Sequence, residues 1–275
     1  TLFPYDVFRS SAKWTQYAPK HRWPMSWLYR REGEFLLAYE RRIASRAARS
    51  FFVTESEAAL FTRQAPECSV RVEAMCNGVD SDYVSPRPAR FSPYLVDEVP
   101  VVFTGAMDYW PNVDAVTWFA KEVLPELLVK YPKTRFYIVG RSPTPEVTEL
   151  ANEHVIVTGT VPDVRPYIQH ATIVVAPLRI ARGIQNKILE AMAMERTVIA
   201  SADCAAAVDA VLGQELLTAN TPDDYLQAIK TCLENPGKSA TIGRAARQRV
   251  TERYSWKAHM SGIDRYISSS PAEHK

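Results

Sequence analysis

The sequence predicts an α/β fold whose main part is a doubly wound parallel sheet. Beyond residue 88, short apolar strands alternate with helical patterns, and this alternation is typical of a parallel sheet covered by helices. Glycine is scarce, with 10 in 275 residues, yet Gly105, Gly140 and Gly159 each directly follow a predicted strand. These glycines are expected at the carboxyl edge of the sheet, where open α/β sheets bind ligands.

The first 88 residues predict a smaller, partial unit. Its expected elements are a helix, a strand, a second helix and a second strand, at 28–48, 51–53, 54–63 and 70–75. Thr54 and Glu57 form a capping box that would open the second helix. Asn77 and Gly78 tolerate a positive φ and would end the second strand in a turn.

The doubly wound part begins after a proline-rich linker at 85–88. Its predicted strands lie near 101–104, 135–139, 155–158, 173–176, 197–200 and 216–218. Its predicted helices lie near 113–130, 144–152, 163–170, 185–195 and 222–234. Residues 238–267 are expected to be mostly helical, with interruptions at Gly243 and at 254–256.

Composition restricts the class of protein. An apolar content of 47% with 23% charged residues is typical of a folded globular chain. No stretch approaches the roughly 18 apolar residues that span a bilayer. The four cysteines include no C-x-x-C pair, so the sequence predicts no metal site and no disulfide framework. No cofactor is predicted either. The first residue is Thr1 rather than Met, so we expect a fragment of a longer protein.

Charge is concentrated at one end of the chain. Residues 1–50 contain ten Lys and Arg against four Asp and Glu, a net charge of +6, whereas the whole chain carries +2. Three of the six tryptophans, Trp14, Trp23 and Trp27, lie in the same segment. This combination suits an anionic membrane surface. An ordinary solvated helical face is the alternative, and nucleic acid is disfavoured because no binding motif accompanies the charge.

Residues 173–201 contain the strongest functional signal. They predict a buried strand, then a helix from about Gln185 in which Glu190 is the only polar residue beyond the first turn. Lys187 is a cation in the first turn of this helix, where the helix dipole favours anions. A carboxylate in an apolar helix needs partners or a ligand.

Both features are explained by an anionic, hydroxyl-bearing ligand at the start of the helix. Phosphates would contact Lys187 and the free backbone N–H groups, and sugar hydroxyls would contact Glu190, as in a nucleotide sugar. Two structural alternatives remain: Lys187 and Glu190 pair along the helix, or Glu190 pairs with an arginine of another element.

Several short motifs resemble the retaining family 4 (group 1) glycosyltransferases of the GT-B architecture, in which two Rossmann-like domains face each other across a cleft. These motifs lie at 53–57, 77–80, 102–105, 138–140, 158–161 and 189–193. With residues 107–112 and 179–187 added, the pattern most resembles bacterial sugar transferases of exosortase-associated exopolysaccharide clusters.

The resemblance implies a domain organisation. Residues 1–88 would be the C-terminal part of the acceptor domain plus the hinge, and 89–254 would be the nucleotide-sugar-binding domain. Residues 255–275 would form a C-terminal helix and tail that fold back across the cleft. Most of the acceptor domain would then lie upstream, and we expect this chain alone to fold without transferring sugar.

The resemblance also implies the substrate site. Glu190 matches the family glutamate that binds the nucleotide ribose, whereas the family's other glutamate falls on Arg182. The usual arginine and lysine ligands of the diphosphate fall on Ala106 and Pro111. We therefore predict that Lys187 and Arg182 are the catalytic cations that stabilise the leaving diphosphate. The other predicted substrate-binding residues are Gly105, Arg141, Arg179, Gly183, Ile184 and Asn186.

The function implied is transfer of a hexosyl group from a nucleotide-diphosphate sugar to a surface polysaccharide or a glycolipid, with retention of configuration and without a metal. The expected location is cytoplasmic, with peripheral contact to the inner membrane as a further expectation. Two alternatives are open. One is a non-catalytic nucleotide-sugar-binding module, suggested by the replaced glutamate, arginine and lysine; the other is an epimerase on the same fold.

Overall fold

The structure is a computed structural model that describes residues 25–53, 55–75, 77–180, 183–258 and 260 of the 275-residue chain. The backbone forms two compact units, Thr1–Cys76 and Asn77–Lys275. Segment 77–88, which the sequence analysis assigned to the first domain, therefore groups with the second unit. One reason is that the Gln169 carboxamide both accepts a hydrogen bond from the Arg87 N–H and donates one to the Arg87 carbonyl, each at 2.9 Å.

The described residues of the first unit include two α-helices and two short strands. They are α1 (Met25–Arg46), β1 (Ser50–Phe52), α2 (Glu55–Gln64) and β2 (Val72–Ala74). The strands are parallel, with Ser50 opposite Val72. Phe52 and Phe61 pack at 5.0 Å between ring centroids in a core that Ala44 joins. The capping residue predicted at Thr54 lies outside the described residues.

The second strand of this unit begins later than predicted. Residues Pro66–Arg71 form a 3-10 helix instead, with proline in its first turn. Proline is suited to a helix start because its φ is already helical and its missing N–H has no intrahelical partner there.

The second unit is a six-stranded, fully parallel sheet, which confirms the predicted doubly wound fold. Its strands are β3 (Val99–Thr104), β4 (Thr134–Val139), β5 (Val155–Gly159), β6 (Ile173–Ala176), β7 (Val198–Ala200) and β8 (Leu217–Thr218). Their order in the sheet is β5-β4-β3-β6-β7-β8. The chain adds β4 and β5 on one side of β3, and then β6, β7 and β8 on its other side. The topological switch point therefore lies between β3 and β6, where Val102 is paired with Val174.

Eight α-helical segments were assigned in the described part of this unit. They are α3 (Trp110–Trp118), α4 (Leu124–Lys130), α5 (Pro145–Thr148), α6 (Arg165–His170), α7 (Asn186–Ala193), α8 (Ala202–Ala206), α9 (Pro222–Glu234) and α10 (Pro236–Arg253). The single helix predicted at 113–130 is interrupted by a π-helical segment, Phe119–Val123, which joins α3 to α4. Pro125 in the first turn of α4 explains the wider turn, because proline cannot donate an intrahelical hydrogen bond.

The interruption predicted at Gly243 is wrong, because α10 runs through this residue without a break. A Cβ atom at Gly243 would overlap the carbonyl oxygen of Glu195, just after α7. The glycine is therefore needed for close packing of α10 against the end of α7.

No helix within the described ranges is long and apolar enough to cross a membrane.

Candidate functional site

The candidate site lies at the carboxyl ends of β3 and β6, the central neighbours in the sheet. Two loops leave this edge: residues 105–109 lead from β3 into α3, and residues 177–185 lead from β6 into α7. This edge is the topological switch point of the sheet, where open α/β sheets usually bind ligands.

Glycines allow the backbone to pack closely at this edge. The Gly105 N–H donates to the Val139 carbonyl at 3.0 Å. A Cβ atom at Gly140 would overlap the Gly105 carbonyl oxygen. A Cβ atom at Gly105 itself would lie 2.7 Å from Asn112 Nδ2 and 3.1 Å from Lys187 Nζ. The absence of side chains therefore leaves the space that Asn112 and Lys187 occupy.

Lys187 is the central charged group of the site. Its Nζ donates a hydrogen bond of 2.6 Å to Asn112 Oδ1, and it lies 4.0 Å from the centroid of the Phe103 ring. Asn112 is 6% exposed and is held in place by its own Nδ2, which donates to the Ala106 carbonyl at 2.8 Å. The side chain of Lys187 is thus directed to the end of β3 by groups of the first loop.

Burial makes this ammonium unusually acidic. Loss of hydration lowers the pKa of Lys187 to about 7, although the nearby Cys204 and Glu190 act in the opposite direction. Within the described residues, Lys187 forms no salt bridge. A bound anion would supply the missing negative charge and favour the protonated form.

Glu190 lies on the same helix as Lys187 and is only partly exposed. Burial raises the pKa of its carboxyl group, and the charge of Lys187 partly offsets this rise. In the described part of the chain, the Glu190 carboxylate has neither a hydrogen bond nor a salt bridge. The two structural alternatives, pairing with Lys187 or with an arginine, are therefore not found among the described residues.

The first turn of α7 offers backbone donors beside Lys187. Gln185 is the N-cap, and no side chain caps the helix at this end. The N–H groups at a helix start have no intrahelical partner and attract anions. Gly183, with a φ of +67°, turns the chain into the helix, and Ile184 is buried beneath the loop. Asn186 is exposed and accepts a hydrogen bond of 3.1 Å from Asn77 Nδ2.

The remaining predicted cations differ in their surroundings. Arg179 is exposed but forms a two-armed ion pair with Asp114 of α3, with Nε at 3.0 Å from Oδ2. This hydrogen-bonded pair raises the pKa of Arg179. Arg141 follows β4 and is exposed, and its carbonyl accepts a hydrogen bond of 2.8 Å from the Met107 N–H. Arg182 lies outside the described residues.

Three contacts of the site were missed in the sequence analysis: Asn112 with Lys187, Asp114 with Arg179, and Asn77 with Asn186. A signal was available for Asn112, since a polar residue directly after Pro111 in the first turn of a buried helix needs a partner. For the other two, the partners are far apart in the sequence and both side chains are ordinary surface types.

No set of three or more His, Cys, Asp or Glu side chains that could hold a metal occurs among the described residues. Cys68, Cys204 and Cys232 are free and buried.

This fold defines a doubly wound α/β protein whose topological switch point, between β3 and β6, holds the buried Lys187. The family model for glycosyl transferases group 1 matches residues 98–235, which is half of the chain. The chain therefore belongs to the group 1 glycosyl transferases. No match was found among curated protein sequences.

Solved structures share the GT-B fold with this chain. HepE from Anabaena, solved in complex with UDP-glucose, is 18% identical with a TM-score of 0.67, and the match covers 86% of this chain and 68% of HepE. A glycosyltransferase from Rickettsia africae is 14% identical with a TM-score of 0.67, covering 98% of this chain and 83% of that protein. Sucrose-phosphate synthase from Thermosynechococcus elongatus is 20% identical with a TM-score of 0.68, covering 86% and 63%.

Proposed function

We propose that the protein transfers a sugar from a nucleotide-diphosphate sugar to a hydroxyl group of a surface polysaccharide or a glycolipid. The observation that carries the proposal is the Lys187 ammonium beside Gly105, at the switch point and at an uncapped helix start. The similarity to HepE, which was solved with UDP and with UDP-glucose, supports a nucleotide sugar as the donor.

In the proposed reaction the acceptor hydroxyl attacks the anomeric carbon of the donor sugar, and the bond from that carbon to the diphosphate oxygen breaks. The electron pair of this bond remains on the leaving diphosphate, which also takes up the proton that the acceptor hydroxyl loses. Lys187 and the first N–H groups of α7 stabilise the developing charge, as preorganised donors in a partly buried site do. These groups supply positive charge without a metal, and Arg182 is proposed to assist them.

Glu190 is proposed to bind the ribose. It lies one helical turn beyond Lys187, so a nucleotide whose diphosphate contacts the helix start would bring its ribose hydroxyls to this carboxylate. The proposed substrate-binding set further contains Gly105, Arg141, Arg179, Gly183, Ile184 and Asn186. For Arg179 to contact a phosphate, its ion pair with Asp114 must open, or the guanidinium must bind the phosphate and the Asp114 carboxylate together. Retention of configuration, a cytoplasmic location and peripheral contact with the inner membrane are part of the proposal.

The first test is a thermal-shift panel of UDP-, GDP-, ADP- and dTDP-sugars. A ligand at 100 times its Kd adds about 2.7 kcal/mol of apparent stability, so one nucleotide class should raise the melting temperature clearly. Glu190→Gln should lose this shift, and Glu149→Gln, at an exposed residue remote from Lys187 in sequence, should keep it. No shift with any donor would contradict the proposal.

The second test separates transfer from its two alternatives. The complete gene product that contains these 275 residues is incubated with the bound donor, with and without membrane glycolipid extract, and the products are separated by chromatography. Labelled sugar on the acceptor supports the transferase. Conversion of the donor sugar to an isomer would indicate an epimerase, and binding without either product would indicate a non-catalytic module.

A further inference from the structure

Helix α1 presents an exposed row of alternating aromatic and cationic side chains. Trp27, Phe35 and Tyr39 are 57%, 63% and 43% exposed, although large aromatic rings are usually buried or half-buried. At about 100° per residue they lie on the same side of the helix as three exposed arginines. We call this set the α1 stripe: Trp27, Arg31, Phe35, Tyr39, Arg42 and Arg46.

The stripe is separate from the face that holds the helix in its unit. Ala44 is fully buried in the core with Phe52 and Phe61, and Leu37 packs against the same core. These positions lie on the opposite side of α1 from the stripe. The exposed aromatic rings are therefore not needed for the core of the unit.

Guanidinium groups cover the rings of the stripe. The Arg31 guanidinium lies 5.6 Å from the Trp27 ring and 5.2 Å from the Phe35 ring, and that of Arg42 lies 5.6 Å from the Tyr39 ring. Arg31 has a weak ion pair with Glu32 at 3.9 Å. In the described part of the chain, Arg42 and Arg46 form no salt bridge. The stripe is thus apolar and positively charged at once, and the exposed carboxylates of Glu32 and Glu34 lie just outside its two edges.

We propose that the α1 stripe binds the headgroup region of an anionic phospholipid surface. Aromatic rings concentrate at the level of the lipid headgroups, and arginine side chains bind lipid phosphates. Helix α1 has 22 residues, a length of about 33 Å, and can lie flat on such a surface along the whole stripe. A single nucleic-acid strand requires a cationic groove that follows its backbone, whereas the stripe is the convex face of one helix.

The test is co-sedimentation of the 275-residue protein with vesicles of phosphatidylcholine alone and of phosphatidylcholine mixed with phosphatidylglycerol. We expect binding to the anionic vesicles only, weakened by high salt. Arg42→Gln with Arg46→Gln should weaken this binding about 30-fold, since two surface cations are removed. Trp27→Ser with Phe35→Ser should weaken it as well, because the apolar contact is lost.

The matched control is Lys121→Gln with Lys238→Gln, which removes the same charge from exposed positions of the other unit. This variant should bind nearly as well as the original protein. All substituted side chains are exposed, so circular dichroism and UDP binding should remain unchanged, and a failure of the donor-site proposal would be visible separately in the UDP measurement.

Equal binding to both vesicle types, or an equal loss in the stripe and control variants, would overturn the proposal. The proposal would also be overturned if single-stranded RNA displaced the original protein from the vesicles and the stripe variants lost RNA binding rather than lipid binding. A third contrary result would be stripe variants that change a monomer–dimer equilibrium and leave lipid binding unchanged.

Discussion

The Lys187 ammonium donates a hydrogen bond of 2.6 Å to the Asn112 carboxamide oxygen and so connects the start of α7 with the start of α3. Each partner lies in the first turn of the helix that follows one of the two loops at the switch point. The contact fixes a cation, whose pKa is lowered to about 7 by burial, in the space that the missing side chain of Gly105 leaves at the end of β3.

Lys187→Ala is expected to weaken UDP binding about 10- to 150-fold, because a charge-assisted contact to the diphosphate is worth roughly 1.5–3 kcal/mol. Binding of uridine, which has no phosphate, should change little. Isothermal titration with both ligands measures the difference. Equal losses for UDP and uridine would mean that Lys187 supports the fold of the crevice rather than the diphosphate.

Glu190→Gln is expected to weaken both UDP and uridine by about 10- to 150-fold, since the ribose is common to the two ligands. This pattern differs from that of Lys187→Ala and identifies which part of the nucleotide each side chain contacts. Glu149→Gln, with an exposed carboxylate, is the control. An unchanged affinity in a folded Glu190→Gln protein would leave Glu190 with a structural role only.

The affinity for UDP is expected to fall as the pH rises from about 7 to 9, by up to tenfold per pH unit. Lys187, with a pKa of about 7 in the free protein, is mostly neutral at the upper end and must take up a proton when the diphosphate binds. The terminal phosphate itself ionises with a pKa of about 6 and stays constant across this range. Lys187→Ala should show a flat profile; a parallel slope in that variant would assign the pH dependence to Glu190 or Cys204.

Gly105→Ala is expected to reduce UDP affinity more than it reduces stability. The added Cβ would lie 2.7 Å from Asn112 Nδ2, so the side chain must move and the Lys187–Asn112 hydrogen bond would be disturbed. Gly237→Ala, where no atom lies within 4 Å of the added carbon, is the matched control. Calorimetric titration together with urea unfolding separates the two effects, and wild-type affinity in Gly105→Ala would show that the crevice has more room than the geometry indicates.

Gly243→Ala is expected to destabilise the protein by about 1–3 kcal/mol, because the new methyl group would overlap the Glu195 carbonyl and the backbone has to shift. Gly237→Ala lies in the same helix and should be neutral or stabilising by up to about 1 kcal/mol, through helix propensity. Urea unfolding of both variants measures the difference. Equal stabilities would show that α10 can move away from α7 at little cost.

The sequence alone determined most of the fold of the second unit. Apolar runs flanked by polar loops predicted every strand of its sheet to within about two residues, because the strands of a parallel sheet are buried on both faces and leave a strong composition signal. Local chemistry also singled out Lys187 and Glu190, since a charge inside an apolar helix is unusual without any knowledge of its neighbours.

Only the tertiary structure decided which residues meet. The strand order brings the end of β3 beside the end of β6, and with it Asn112 to Lys187. The same folding pairs Arg179 with Asp114, a partner that no local pattern in the sequence indicated. Gly243 was misread for a related reason: a glycine in a helix resembles a helix end in sequence, whereas here it makes room for the carbonyl of Glu195. The periodicity of a sequence indicates which side chains are buried. Contacts between distant segments depend on the order of the strands in the sheet and on how closely the elements pack, and the periodicity carries no information on either.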